Sequence, residues 1–330
     1  MIKFNESQRR ESIQGALALR GEIENISDKI WKEDFKEIFF MGIGGTLASA
    51  MQTATHCQMN CNLPVYTLSA GEYSAGGNMR VGEGSVVVFS SVSGTTPEII
   101  SAVERAKQAG AKIWAFLDDP KVPLAEMVHW RVSYPENEQL KLFMAADRLM
   151  YNAGQFPEYA EYNAKMERHF ADTAVNAEYM GDGFARKWAE EHCRDDMHYF
   201  IGEGANWGAI YSFAMCYLEE QHWMRTKSIH AAEFFHGTLE IIEENTPVTL
   251  YMGEDAQRSL AQRVADFLPK VNGNHTIIDS AAYPSPGLEK FRSRISHHIL
   301  RAVNNRIDAH IEDITGHDRE IRRYYRKMDY

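Results

Sequence analysis

The chain has 330 residues, 44% of them hydrophobic, and a formal net charge of −11. This size allows two domains with full cores, and the charge argues against nucleic acid or an anionic membrane as the main partner. No apolar run approaches the roughly 20 residues of a membrane span, and the start of the chain lacks a signal-peptide core. Cys57, Cys61, Cys193 and Cys216 are too few for a disulfide scaffold, so a reducing, cytoplasmic location is expected.

Residues 6–36 read as polar helix. Strand and helix patterns then alternate. A strand at 38–41 runs into Gly42-Ile43-Gly44-Gly45-Thr46 and a helix from Leu47. Cys57 and Cys61 fall on that helical stretch with no second pair to complete a zinc set, so they read as core residues. Strands are predicted at 64–68, 85–89 and 111–117, with a short fifth at 132–134. A helical stretch follows over 136–192, broken at Gly154-Gln155-Phe156-Pro157 and again near Gly181-Asp182-Gly183. The alternation resumes with a strand at 197–201, Gly202-Glu203-Gly204-Ala205-Asn206 and a helix over 207–225. Strands at 247–252 and 275–279 and a helix over 293–312 close the pattern. The basic cluster from Arg319 to Lys327 reads as a solvated terminus.

Strands separated by helices imply parallel, doubly wound sheets. The glycine loops near Gly42 and Gly202, and the later loops near Ser91 and Gly253, suggest two similar α/β lobes. The expected divisions are an N-terminal helical segment at 1–36, a first lobe at 37–150, a helical connector at 151–192, a second lobe at 193–315 and a tail at 316–330.

The most informative stretch is Ser91-Val92-Ser93-Gly94-Thr95-Thr96-Pro97-Glu98. It lies between a predicted buried strand and a predicted helix start. Backbone N–H groups, hydroxyls and the positive end of a helix dipole converge there, as an anion site requires. An ordinary N-cap needs fewer hydroxyls. The corresponding loop of the second lobe, Gly253-Glu254-Asp255, carries acids instead, so one phosphate site per chain is expected, in the first lobe.

The densest titratable run extends from Glu219 to Glu240 and includes Glu220, His222, His230, Glu233 and His236. Carboxylates near histidines suit proton transfer. Each residue alone also fits a surface or core role. His230, Glu233 and His236 share the i, i+3 spacing of a metal face on a helix, but no known metal signature is matched, and neither a metal nor an organic cofactor is expected.

Taken together, these motifs resemble the double-SIS (sugar isomerase) family, the fold of the isomerase half of glucosamine-6-phosphate synthase. The loop from Ser91 to Glu98 is similar to the family's phosphate loop, and Gly44-Gly45-Thr46 to its first glycine loop, although Leu47 replaces a common hydroxyl residue. Glu233-Phe234-Phe235-His236-Gly237 resembles the family's Glu-x-x-His-Gly element. Glu220 precedes His236 by 16 residues, the family's spacing between catalytic Glu and His. The segment from Ile229 to Gly237, together with Arg322-Arg323-Tyr324, Lys327 and the ending Asp329-Tyr330, resembles the fructosamine-6-phosphate deglycases, and no amidotransferase domain precedes the first lobe. Tyr217 stands where the aminotransferases carry a lysine.

The resemblance implies two flavodoxin-like three-layer lobes. It also implies a sugar phosphate carrying an amino acid as substrate, cleaved to hexose 6-phosphate and free amino acid. Ser91, Ser93, Gly94 and Thr96, with Gly45 and Thr46, would hold the phosphate. Glu220 would move the C–H proton and His236 would open the ring, while Lys327 would steady an oxyanion. Glu233 would line the substrate site. Glu72 would either orient a sugar hydroxyl or cap a helix. Because the catalytic histidine of such proteins often comes from a neighbouring subunit, a homodimer or higher homo-oligomer with a shared site is expected. The rival readings are an aldose-ketose or amino-sugar phosphate isomerase, a non-catalytic sugar-phosphate-binding protein, and a metal hydrolase built on His230, Glu233 and His236.

Overall fold

The computed structural model describes residues 1–329. It divides into two compact units, one of residues 7–171 and one of residues 1–6 with 172–329. No helix among the described residues is long and apolar enough to cross a membrane.

The first unit opens with helices α1 (Glu6–Ala18) and α2 (Arg20–Lys32). Its five strands are β1 (Glu37–Gly42), β2 (Val65–Ser69), β3 (Ser85–Ser91), β4 (Lys112–Leu117) and β5 (Trp130–Ser133). They form one parallel sheet in the order β2-β1-β3-β4-β5. β1 and β3 are buried along their whole length, which explains their uninterrupted apolar runs. Helices α3 (Gly45–Asn60), α4 (Ala70–Gly76), α5 (Pro97–Gln108) and α6 (Glu138–Asn152) supply the crossovers and cover. One face of the sheet is closed by Phe39, Met41, Val87, Phe89, Ile113 and Ala115 against Ile99, Ala102, Val103 and Ala106 of α5.

The second unit holds β6 (His198–Gly202), β7 (Thr226–His230), β8 (Val248–Met252) and β9 (His275–Asp279), parallel and ordered β7-β6-β8-β9. The helices are α7 (Tyr159–His192), whose C-terminal part lies in this unit, α8 (Gly204–Ser212), α9 (Ala231–Phe234), α10 (Arg258–Phe267) and α11 (Arg292–Thr315). Ile201, Val248, Leu250 and Met252 pack with Ala261, Val264 and Phe234 on one face.

The two-lobe, doubly wound expectation is therefore met, with two departures. The expected helix break near Gly181 does not occur: α7 is continuous to His192. Gly181 serves packing instead, because a Cβ there would press on Val303 at 3.3 Å. A glycine costs a helix only about 1 kcal/mol relative to alanine, so a close approach can retain it. The helix expected over 207–225 changes character half-way. α8 passes into a π-helical stretch, Phe213–Glu219, which ends the helical run early.

Strand order reverses direction between β1 and β3 in the first lobe and between β6 and β8 in the second. Open α/β sheets bind ligands at the carboxyl ends of strands flanking such a reversal. The loops that follow β1, β3, β6 and β8 are the four glycine and hydroxyl loops identified from sequence.

Candidate active site

The loop after β3 is shaped by its own hydroxyls. Ser91 Oγ accepts a hydrogen bond from the Gly94 N–H at 3.0 Å. Ser93 Oγ accepts from the Thr95 N–H at 3.4 Å and from Thr95 Oγ1 at 3.2 Å. Gly94 adopts φ +62°, and a Cβ there would lie 2.3 Å from Val122 Cβ, so the turn admits only glycine. Thr96 is the N-cap of α5, with Pro97 as its first residue. The Thr96 side chain makes no cap bond, and its carbonyl accepts from Ile99 and Ile100. The Glu98 N–H has no acceptor among the described residues. The loop thus carries a free backbone donor and an uncommitted hydroxyl at a helix N-terminus, as an anion requires.

The glycine loop after β1 is less open. Gly44, at φ +57°, caps α3. The Thr46 hydroxyl donates to the Ile43 carbonyl at 2.9 Å and accepts from the Ile43 N–H at 3.0 Å. Thr46 is therefore committed to its own turn. Gly45 is the first residue of α3. Glu72 is exposed in the first turn of α4, and its N–H is received by the N-cap Ser69 at 3.4 Å. That is the Ser-x-x-Glu arrangement of a helix start, the capping alternative.

In the second unit, Glu220 follows the π-helical stretch and is half-buried. Its carboxylate Oε1 accepts from Arg322 Nε at 2.9 Å. His236 is exposed beyond the end of α9, its N–H bonded to the Glu233 carbonyl, and Glu233 is exposed too. No hydrogen bond or ion pair joins Glu220 and His236 among the described residues. Glu220 belongs to the amino end of β7, where its neighbour Glu219 bonds Thr226, and His236 follows the carboxyl end of the same strand. Five residues of strand at about 3.3 Å each put roughly 13 Å between those ends. Lys327 is exposed on the tail, and Tyr330 lies outside the described residues.

The helical metal face does not form. α9 is only four residues long, His230 precedes it as its N-cap, accepting from the Ala232 N–H at 3.1 Å, and His236 lies past its end. Burial lowers the His230 pKa, with Glu233 and Asp255 opposing. The group that does converge is His192, Asp195 and His198. Asp195 Oδ2 bonds both Nδ1 atoms, at 2.9 and 2.8 Å, and these hydrogen bonds account for the cluster.

Comparison with known proteins places this site beside similar chains. The SIS domain description matches residues 30–149. The chain is 25% identical to fructosamine deglycase of Bacillus subtilis, over 96% of this chain and 99% of that protein. It is 24% identical to fructoselysine 6-phosphate deglycase of Escherichia coli, over 92% of this chain and 89% of that one. A Bacillus subtilis crystal structure described as a phosphosugar isomerase superposes with a TM-score of 0.86 at 24% identity, covering 98% and 100% of the two chains. A second, from Salmonella typhimurium, gives 0.84 at 23% identity, covering 94% and 97%. The expected resemblance to SIS proteins and to the deglycases is borne out, as are the two parallel-sheet α/β lobes.

The structure also brings residues near these loops that carry no sequence motif. Beside the hydroxyl loop, Asp118 donates its N–H to the Ser91 carbonyl at 3.4 Å and lies 3.6 Å from the buried Lys141 Nζ. Burial pushes Asp118 up and Lys141 down, each favouring its neutral form. In the second lobe, Glu203 is fully buried, and Oε1 accepts from the Gly253 N–H at 2.8 Å. Burial raises its pKa to about 8. Glu203 Oε2 and the Asn206 amide find no well-formed hydrogen bond. Arg322 was visible only as part of a terminal motif; its bond to Glu220 spans 102 residues and has no local signal.

Proposed function

We propose that the protein is a phosphosugar deglycase that hydrolyses an N-substituted amino-sugar 6-phosphate, such as a fructosamine 6-phosphate of an amino acid, to a hexose 6-phosphate and the free amino acid. The observation that carries this reading is near full-length similarity to proteins named deglycases, in a chain that also keeps the hydroxyl loop and the Glu220 and His236 pair.

The phosphate would sit on Ser91, Ser93, Gly94 and Thr96, at the N-terminus of α5, with Gly45 and Thr46 shaping the adjoining wall. That anchor lets binding energy orient the reacting carbons. His236 would pass a proton to the ring oxygen as the ring opens. Glu220 would remove the C–H proton beside the carbonyl, giving an enaminol. Return of a proton to the neighbouring carbon moves the double bond to C=N. Water adds to that imine, and the C–N bond breaks to release the amine. One water is consumed, no electrons change hands, and neither a metal nor an organic cofactor is needed. Lys327 can reach a developing oxyanion if the tail folds over the sugar, and Glu233 and Glu72 would contact hydroxyls.

Placement of Glu220 and His236 at opposite ends of β7 supports a site completed by a second copy, with His236 serving the neighbour's Glu220. A homodimer is therefore the smallest active form. Four cysteines, too few for a disulfide scaffold, support a reducing, cytoplasmic setting.

The test is incubation with phosphorylated glycated amino acids, detecting both products. Stoichiometric free amino acid and hexose 6-phosphate support the reading. Conversion to an isomeric sugar phosphate without amine release would move the protein to the isomerases. Mixing Glu220→Gln with His236→Ala subunits, each inactive alone, should restore up to about a quarter of activity if the site is shared, the statistical share of hybrid sites.

A further inference from the structure

The tail was expected to be a solvated terminus, yet it is fastened to the second lobe at several points. The His317 ring packs at a tilt against Trp223 with ring centroids 4.2 Å apart, and the Arg323 guanidinium lies over the same indole at 4.0 Å. Arg319 pairs with Asp308 and reaches Glu312 at 3.5 Å. Asp308 is buried on α11 and also bonds His222 Nε2 at 2.8 Å. Trp223 takes φ +58°, a left-handed conformation that a tryptophan rarely adopts. Asp308 and Trp223 thus brace the tail and at the same time fix the turn that carries Glu220.

Between these two anchors lies the ion pair of Arg322 and Glu220. Arg322 Nε donates to Glu220 Oε1 at 2.9 Å, and Nη1 donates back to the Arg319 carbonyl. The guanidinium is therefore held from behind by its own tail segment. No other hydrogen bond or ion pair to the Glu220 carboxylate is found among the described residues, so Oε2 keeps its lone pairs available. An ion pair this close to the surface contributes at most about 1 kcal/mol to stability. Bracing both of its partners fixes the direction of one carboxylate oxygen, which matters to a base that must meet a carbon-bound proton.

We infer that Arg322 is a positioning residue for Glu220, delivered by the C-terminal tail, which fixes one carboxylate oxygen so that the other faces the substrate carbon. The inference rests on the reading of Glu220 as the base. Arg322 touches neither substrate nor reacting atoms in this scheme; it acts through the carboxylate. A lysine keeps the charge but lacks the planar fork that meets Oε1 while bonding Arg319.

The experiment compares wild type, Arg322→Ala, Arg322→Lys and Glu220→Gln, each checked for an unchanged melting temperature and assembly state. Arg322→Ala should lose on the order of 100-fold in kcat with KM within about threefold, the cost of a misplaced reacting group. Arg322→Lys should recover part of the loss. Free guanidinium, at a concentration that leaves the fold intact, should raise the rate of Arg322→Ala and not that of wild type. A kcat within threefold of wild type for Arg322→Ala, beside an inactive Glu220→Gln, overturns the positioning role and leaves the base assignment standing. A loss that neither lysine nor guanidinium repairs makes the residue merely structural and overturns it too. Full activity of Glu220→Gln would remove the base itself, and this inference with it.

Discussion

The two lobes share a plan and differ in what they place at the reversal of strand order. In the first, β3 ends in hydroxyls, and the N-terminus of α5 keeps an open N–H at Glu98. In the second, the corresponding space is filled by the chain's own acids. Asp255 accepts from the Ala205 N–H at 3.0 Å, at the start of α8, and Glu203 accepts from the Gly253 N–H at 2.8 Å. Asp255 occupies the helix end that an incoming anion would use. On the proposed reading, the same fold offers an anion site once and plugs it once, and the difference lies in a handful of side chains.

The largest break in this contrast comes from Gly94→Ala. The new Cβ meets Val122 at 2.3 Å in a backbone with φ +62°. Strain and overpacking together should cost about 3 kcal/mol, enough to collapse the loop. Substrate KM should rise about 100-fold, and the shift in melting temperature that inorganic phosphate gives wild type should vanish. An unchanged phosphate shift would place the anion elsewhere.

Next is the pH dependence of the plugged site. Glu203 titrates at about 8 in the folded chain because it is buried, against an ordinary carboxyl value when unfolded. Between those values the folded state holds a proton that the unfolded state has lost. Stability therefore falls as pH rises from about 5 to 8, by about 1 kcal/mol per unit from this group. Glu203→Gln, which keeps the bond to Gly253 and has no proton to lose, should show a flatter stability–pH curve by that amount. Chemical denaturation at pH 5, 6.5 and 8 checks it, and parallel curves would mean that Glu203 is ionised in the folded protein.

Much of this contrast was legible in the sequence, for a physical reason. Strand period, glycine turns and hydroxyl clusters are local signals, so both lobes, the hydroxyl loop and the acids of Gly253-Glu254-Asp255 were readable. Missed features depend on chain segments far apart. The carboxylate of Asp255 reaches α8 from 50 residues away, and Arg322 reaches Glu220 across 102. The i, i+3 pattern at His230, Glu233 and His236 misled because periodicity says nothing of helix length, and α9 stops after one turn. Thr46 carried the right residue type at the glycine loop, yet its hydroxyl is committed to Ile43, a bond that composition does not reveal.

A smaller effect follows from unplugging the second lobe. Asp255→Ala removes the acceptor for Ala205 and Gln257 and should lower stability by about 1–2 kcal/mol, the scale of a lost helix cap. Added phosphate or sulfate should then recover part of the loss by taking the vacated helix end, while doing less for Asp255→Asn, whose amide oxygen still caps. Equal recovery in the two variants would mean that the first lobe's site accounts for all anion stabilisation.

The smallest effect separates shaping from gripping within the hydroxyl loop. Ser93 Oγ receives the Thr95 N–H and hydroxyl, whereas the Thr96 hydroxyl makes no cap bond. If both merely build the turn, Ser93→Ala should harm binding and Thr96→Val should not. If both grip the phosphate, each should raise KM about 5- to 10-fold, about 1 kcal/mol per lost hydrogen bond, with kcat nearly unchanged. The second outcome is expected, because a helix entrance with an unspent hydroxyl has no structural use for it. Thr96→Ser, which keeps the hydroxyl and loses only a methyl, should then bind like wild type; a KM as high as that of Thr96→Val would assign the effect to packing at the start of α5 and leave the grip to Ser91, Ser93 and the backbone.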